Sequence, residues 1–268
     1  VAKYFKNCNF TGIDISKKSL LIANELKNNE NIENIHFIQK NILDDNTEIG
    51  KFDSVLCMGV LHHLSDPNKG LQILSKMLNK DGMIFLYLYG KLGGHKRMLN
   101  KELISIILGK DKTDYETGIK LVRDIGLNKF DYGWNLKCEN IEEENSLIVD
   151  SLLHINETLY DSITIHDLFK KSGLFGYVIF GISVDTNGLL FDIGSKNNEK
   201  LPIPQTNISK KLNSKSVLKK YELKSIREKY RILELLYEPN GYTIIGFTKE
   251  GYEKLTNERI KRNFIKID

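Results

Sequence analysis

Phe52-Asp53-Ser54-Val55-Leu56-Cys57-Met58-Gly59-Val60-Leu61-His62-His63-Leu64 reads as a short buried strand, Ser54 to Met58, that runs into a glycine turn and a histidine pair. Upstream, Asn9 to Ile13 is an apolar strand ending at Asp14, and Ile35 to Ile38 is a second strand that leads through Gln39 and Lys40 to Asn41. Downstream, an Asp81-Gly82 turn opens the continuous apolar run Met83 to Tyr89. Helical patterns fill the intervals. Ser16 is suited to cap a helix carrying Leu20, Leu21, Ala23 and Leu26, and Asn68 to Leu78 has helical spacing at Leu71, Leu74 and Leu78. Strands separated by helices of this length pair in parallel through right-handed crossovers, and continuously apolar strands fit a sheet covered on both faces. The prediction is an α/β fold with a doubly wound, mostly parallel sheet.

Past residue 90 the pattern changes. Lys91 to Leu153 is mostly helical and rich in charge, and Ile165 to Ser172 reads as a helix leading into the strand Tyr177 to Ile182. Asp185 to Lys215, which holds Pro202 and Pro204, reads as a polar loop. Val217 to Tyr237 reads as one helix, and Tyr242 to Phe247 as a last strand that forms a hairpin-like closing pair with the strand at 177–182.

With 268 residues and 41% hydrophobic content, the chain can bury the core of one large domain, or of one domain with an appendage. The 39 Lys and Arg are nearly offset by 35 Asp and Glu, so a net charge of +4 gives no argument for nucleic acid as a partner. Cys8, Cys57 and Cys138 are odd in number, far apart and without paired spacing, which argues against a disulfide framework and against a zinc site. No apolar run reaches the length of a membrane span, and Val1 to Phe5 reads as the end of an amphipathic helix rather than as a signal peptide. The expectation is a cytoplasmic protein in a reducing compartment.

The ordered set of motifs resembles the class I S-adenosylmethionine-dependent methyltransferases, and especially their small-molecule-type branch, whose fourth strand commonly ends in a segment like Leu61-His62-His63-Leu64. The resemblance covers about the first 90 residues. It implies a Rossmann-like methyltransferase fold of strand order 3-2-1-4-5-7-6, S-adenosyl-L-methionine as cofactor, and a small-molecule acceptor. Strand 1 and its Gly-rich loop have no counterpart here, so the chain is expected to be an N-terminally truncated fragment, inactive alone. The division that follows is a partial cofactor-binding core at 1–90, a mostly helical insertion or lid at 91–160, and the remainder of the core at 161–268, with an inserted loop and helix at 185–237.

A carboxylate at the C-terminal end of a strand, in the crevice where parallel-sheet ligands bind, is placed to accept both hydroxyls of a ribose; Asp14 is that carboxylate. The resemblance puts Ile15 against the adenine and Asn41 where the family usually has an Asp that accepts from the adenine amino group. An Asn can still present its carbonyl oxygen there. Ile42 would offer its backbone N–H, while Asp44 and Asp45 are nearby acids that could substitute for the lost charge. Cys57, Met58 and Gly59 would line the methionine half of the cofactor.

Either His62 or His63, at the mouth of the cleft, could serve as a general base; the alternative is that the pair caps a helix or packs under a lid. Tyr87 and Tyr89, followed by Gly90, Lys91, Gly93, Gly94 and His95, resemble a branch of bacterial methyltransferases in which a Tyr- and Gly-rich segment follows the fifth strand. That branch carries a later Asp-x-x-Leu-His segment, here Asp150-Ser151-Leu152-Leu153-His154. Tyr89 is then either a substrate-contacting residue or a core one. Methyl transfer by in-line displacement needs alignment and a dry cavity, so no metal is called for. A nicotinamide-dependent dehydrogenase and a non-catalytic cofactor-binding or interaction protein stay open as alternatives, and the oligomeric state is not readable.

Overall fold

The computed structural model describes residues 1–44, 46–111, 113–128, 138–184, 187–190 and 208–268. The chain opens with β1 (Phe10–Asp14), α1 (Lys17–Asn29) and β2 (Ile35–Gln39), and β1 pairs with β2 in parallel from Phe10↔Ile35 to Asp14↔Gln39. Ser16 caps α1, its hydroxyl accepting from the Ser19 N–H at 3.2 Å. A second parallel pair follows: β3 (Phe52–Met58), α2 (Pro67–Lys76) and β4 (Leu78–Tyr89). Asp66 caps α2 with Pro67 in its first turn, where a missing N–H costs nothing.

Three helices come next, α3 (His95–Leu108), α4 (Tyr115–Asp124) and α5 (Ile141–Ile148), and α5 runs into a π-helical turn at Val149–Leu153. Then come α6 (Ser162–Lys170), β5 (Gly176–Val184), β6 (Asn187–Leu190), α7 (Ile208–Leu212), α8 (Lys215–Glu222), α9 (Ile226–Tyr237) and β7 (Gly241–Phe247). The chain ends with α10 (Lys249–Glu253), α11 (Glu258–Arg262) and β8 (Ile265–Lys266). β7 inserts antiparallel between β4 and β5, giving the order β3-β4-β7-β5-β6 with β8 on β5. β1 and β2 form a sheet of their own, and no ladder joins β1 to β3 among the described residues.

The larger sheet is covered on both faces, as a doubly wound fold requires. On one face Leu71, Leu74, Ile84, Leu86, Phe169 and Ile244 form the main core, and on the other Val178, Ile245 and Phe247 pack beneath Tyr252 and Phe264. A third cluster, Ile104, Leu108, Val122, Ile148, Leu152 and Leu153, holds α3, α4, α5 and the π turn together. The β1–α1–β2 unit has no such cover: α1 buries none of its residues.

Four expectations change. Val1 to Phe5 is a turn, with the Tyr4 and Phe5 N–H groups both donating to the Val1 carbonyl; the Asn34 amide donates to the Ala2, Phe5 and Cys8 carbonyls at 3.3, 2.9 and 2.8 Å and ties that turn to the loop before β2. Leu78 begins β4 rather than ending α2, because the Met77 carbonyl accepts from the Phe52 N–H at 2.8 Å and starts the ladder there. Val217 to Tyr237 is two helices, since Ser225 and Glu228 satisfy each other's backbone N–H in a capping box that opens α9. The stretch 185–215 contains β6, which pairs with β5 from Gly181↔Leu190 to Val184↔Asn187, and α7; its segment 191–207, with Pro202 and Pro204, lies outside the described residues. No helix among the described residues is long and apolar enough to cross a membrane.

Candidate functional site

Asp14 ends β1 with one carboxylate oxygen, Oδ1, accepting from the Ser16 N–H at 2.7 Å, while Oδ2 has no protein partner among the described residues. The Ile15 side chain is 66% exposed, and its carbonyl accepts from Gln39 Nε2 at 3.0 Å. Beyond β2, Asn41 Oδ1 accepts from the Leu43 N–H at 2.9 Å, a local turn that leaves that oxygen a second lone pair. Buried Asn46 fixes this loop by donating to the carbonyls of Asn41, Ile42 and Asp44 at 3.0, 3.2 and 3.1 Å; Asp45 lies outside the described residues. Across the division between the sheets, β3 ends at buried Cys57, exposed Met58 and Gly59, whose φ of +78° suits glycine. Burial pushes the Cys57 thiol up to about 11, so it is a neutral packing group.

The ends of β3 and β4 carry a denser constellation. His62 is fully buried, its ring 3.9 Å from that of Tyr89 and 4.3 Å from that of His63. Neither of its ring nitrogens makes a hydrogen bond of good geometry, the Tyr87 backbone giving only a weak contact, and burial pushes its pKa down to about 3. His63 Nδ1 lies 3.0 Å from the Asn156 carbonyl oxygen. A carbonyl can only accept, so Nδ1 carries the hydrogen and Nε2 keeps a lone pair. That Nε2 is buried without a partner, 3.8 Å from Asp150 Oδ1, and burial holds the imidazole below its ordinary pKa. His154 Nδ1 reaches the same Asn156 carbonyl at 2.8 Å, and the two rings lie 4.1 Å apart.

Asp150 also accepts from the Tyr89 hydroxyl at 3.2 Å; burial and the Asp150 charge raise the tyrosine's pKa. The Arg97 guanidinium sits 4.9 Å over the Tyr89 ring, donates to the Ser151 carbonyl at 3.0 Å, and grips both oxygens of Glu157. Lys101 joins Glu157 and donates to the His154 carbonyl at 2.9 Å. Glu157 is buried, which pushes its carboxyl up, but the Arg97 and Lys101 charges outweigh that and hold it below its ordinary value.

Backbone bonds draw these groups together. The Thr158 N–H donates to the His62 carbonyl at 2.8 Å, Tyr160 N–H to Tyr89 at 2.9 Å, and Lys91 N–H to Tyr160 at 2.7 Å. Gly90 permits the crossing: a Cβ there would stand 2.0 Å from the Pro239 carbonyl oxygen. Asp150 and Ser151 lie in the π turn, a local irregularity that often accompanies functional sites.

The expected residues therefore fall in two groups. Asp14, Ile15, Asn41 and Ile42 sit at the ends of β1 and β2, while Cys57, Met58, Gly59, His62, His63 and Tyr89 sit at the ends of β3 and β4. The sequence placed His154 with Tyr89 in the region expected to select the acceptor, showed Asp150 without giving it a chemical role, and held no motif that marks Arg97, Lys101 and Glu157. Two cations four residues apart on a helix that also carries Ile104 and Leu108 were the available signal, since such a pair near a core needs an acid. No cluster of three or more metal-ligating side chains occurs among the described residues, and Cys8, Cys57 and Cys138 are unbridged.

Residues 1–145 match a family model described as a methyltransferase domain. The chain belongs to that family. Its fold is that of the class I S-adenosylmethionine-dependent methyltransferases, and the cofactor that goes with this membership is S-adenosyl-L-methionine. An uncharacterized protein of Synechococcus, syc1184_c, is 30% identical over 173 residues, 61% of this chain and 41% of its own length. The structure of PKMT2 from Rickettsia typhi in complex with AdoHcy superposes with a TM-score of 0.58 at 16% identity, covering 92% of this chain and 46% of that one. A ubiquinone biosynthesis O-methyltransferase of Glaesserella parasuis is 32% identical over 81 residues, 28% of this chain and 34% of its own length. The chain spans less than half the length of each of these relatives.

Proposed function

We propose that the protein transfers a methyl group from S-adenosylmethionine to a small-molecule acceptor, with His63 as the general base. The observation that carries this reading is the His63 imidazole at the end of β3: burial keeps it neutral, Asn156 fixes its tautomer, and Nε2 is left without a partner. Asp150, 3.8 Å away, stabilises the imidazolium that forms when Nε2 takes the acceptor's proton, and the Tyr89 hydroxyl holds Asp150 in position. His62, buried and neutral, supports the Tyr89 ring from below and is a packing residue.

The cofactor-side residues fit the group. Asp14 has one carboxylate oxygen to offer the ribose hydroxyls, Ile15 an exposed apolar face for the adenine, and Asn41 a lone pair for its amino group, with the Ile42 N–H beside it. Cys57, Met58 and Gly59 line the methionine half. The sulfonium supplies the electrophilic methyl when bound; the chain supplies alignment, a base and exclusion of water. The helical region Lys91 to His154 covers the mouth and selects the acceptor. Unpaired cysteines fit a cytoplasmic setting.

The division between the sheets is the place of a further strand carrying a Gly-rich loop. Exposed Leu56 and Met58 on β3 and Leu21, Ile22 and Leu26 on α1 support this, since they are apolar faces awaiting cover. The 268 residues alone then hold the cofactor far more weakly than the complete gene product does.

The test is transfer of labelled methyl from S-adenosylmethionine to the small-molecule fraction of a cell extract by the complete gene product. His63→Gln should lower transfer by about 10²–10⁴-fold while leaving S-adenosylhomocysteine affinity in place. Cofactor binding without transfer to any extract component would favour a non-catalytic binding protein instead.

A further inference from the structure

Residues 208–231 hold nine Lys and Arg against two Asp and Glu, a net of +7, so the rest of a chain whose total is +4 carries −3. The balance over the whole sequence hides one strongly basic segment, which the methyl-transfer reading does not use. It forms α7, α8 and the start of α9. Ring contacts hold the cations of the three helices in one layer. Lys211 of α7 lies 5.1 Å over the Tyr237 ring of α9, and Lys229 of α9 lies 5.7 Å over the Tyr221 ring of α8.

The protein's own acids leave this layer positive. Glu228 is taken up by Lys224 and by the Ser225 capping box, and buried Glu234 pairs with Arg231. On α8 the acid is exposed Glu222. Arg227 stands at the edge, sharing the surroundings of His166 with Lys170, Asp167 and Asp268. Lys211, Lys215, Lys219 and Lys220 are exposed, and neither they nor Lys229 forms an ion pair among the described residues. Like charges gathered on one face repel, and an anion laid across them removes that repulsion.

The spread of the cations over three helices narrows the anion. Lys215 and Lys219 alone are one turn, about 6 Å, apart along α8, so a single small anion cannot meet the whole layer, whereas a chain of phosphates can. No ring of the layer offers a free face on which single-stranded bases could stack: Tyr221 and Tyr230 are buried, and Tyr237 lies under Lys211. A bilayer fits less well, because exposed Val217 and Leu223 point about 120° apart around α8 and give no common apolar face to insert.

We propose that the layer formed by α7, α8 and the start of α9 binds the phosphate backbone of a nucleic-acid duplex, by charge and without reading its bases. The inference stands apart from the methyl-transfer reading, since it needs neither cofactor nor acceptor.

The test is fluorescence anisotropy of the complete gene product with labelled RNA and DNA duplexes of about 20 base pairs and one sequence. At least one duplex should bind. With about four phosphate contacts, its affinity should fall about 10²-fold between 50 and 200 mM salt. The triple variant Lys215→Gln, Lys219→Gln, Lys220→Gln should raise the Kd at 50 mM salt at least tenfold and flatten the salt dependence. Its urea midpoint and its S-adenosylhomocysteine affinity should stay those of the wild type. Lys18→Gln, Lys80→Gln, Lys249→Gln, which removes three exposed cations elsewhere, should leave the duplex Kd within twofold. The inference is overturned if neither duplex binds, or if the α8 variant binds like the wild type. It is equally overturned if oligouridine, polyglutamate, or phosphatidylcholine vesicles containing one-fifth phosphatidylserine bind as tightly as the better duplex.

Discussion

The half of the molecule built on β3, β4, β7 and β5 and the unit built on β1, α1 and β2 use the same kind of sequence, yet they are buried very differently. Ile84, Leu86, Leu88 and Ile244 are fully buried, while Leu21, Ile22 and Leu26 on α1 are 57%, 50% and 59% exposed. An apolar stripe specifies that a face is to be covered; it does not supply the cover. The larger half finds its own, with α2, α6 and α9 on its main core, and the smaller unit does not. Stability therefore resides in one region and half of the proposed cofactor contacts in the other.

Substitutions that probe burial should separate the two regions most sharply. Phe169→Ala, in the main core, should cost about 3–5 kcal/mol in chemical denaturation. Leu26→Ala in the 268-residue chain should cost less than about 0.5 kcal/mol, as exposed positions do. In the complete gene product a strand lying between β1 and β3 would cover that face, and the same Leu26→Ala should then cost about 2–4 kcal/mol. Equal, small effects in both proteins would mean that nothing fills the division.

A smaller effect tests the buried histidine of the stable half. His62 stays neutral in the fold down to about 3, whereas an unfolded imidazole takes up a proton near pH 6.5. Between those values the unfolded state binds more protons, so stability falls as pH falls, by about 1.4 kcal/mol per unit. Urea denaturation at pH 6.5 and 5.5 should show a larger loss in the wild type than in His62→Phe, which keeps only the losses in the same direction from His63 and His166, both also depressed. Identical pH dependence in the two proteins would mean that His62 is not held neutral.

The smallest effect lies on the β1–β2 side. Asn41→Leu in the complete gene product should weaken S-adenosylhomocysteine by about 0.5–1.5 kcal/mol, the scale of one neutral hydrogen bond, and Asn41→Asp should preserve or tighten it. If Leu binds as well as Asn, the residue does not touch the adenine.

Elements whose signal is local were legible in the sequence: the apolar runs of β3, β4, β5 and β7, the Ser16 cap of α1, and the order of parallel pairs. The break between α8 and α9 was also written locally, in Ser225 and Glu228, but the apolar periodicity running through it obscured the capping box. β6 was hidden in a polar stretch because its pairing with β5, rather than its own composition, makes it a strand. Of the candidate site, the His62–His63 pair and Tyr89 could be picked out because they end strands. Asp150, bonded by Tyr89, and Asn156, bonded by His63, lie 61 and 93 residues further along the chain, and backbone bonds from Thr158 and Tyr160 to the strand ends bring their segment in, a closure that no local pattern announces.

The central claim is that the ends of β1 and β3 hold S-adenosylmethionine from opposite sides of the sheet division. Calorimetric titration of S-adenosylhomocysteine into the complete gene product and its Asp14→Ala variant tests it most directly. Loss of hydrogen bonds to a charged group should weaken binding by about 1.5–3 kcal/mol. An unchanged affinity would contradict the claim, because Asp14 would then be no more than the residue that ends β1 and opens α1.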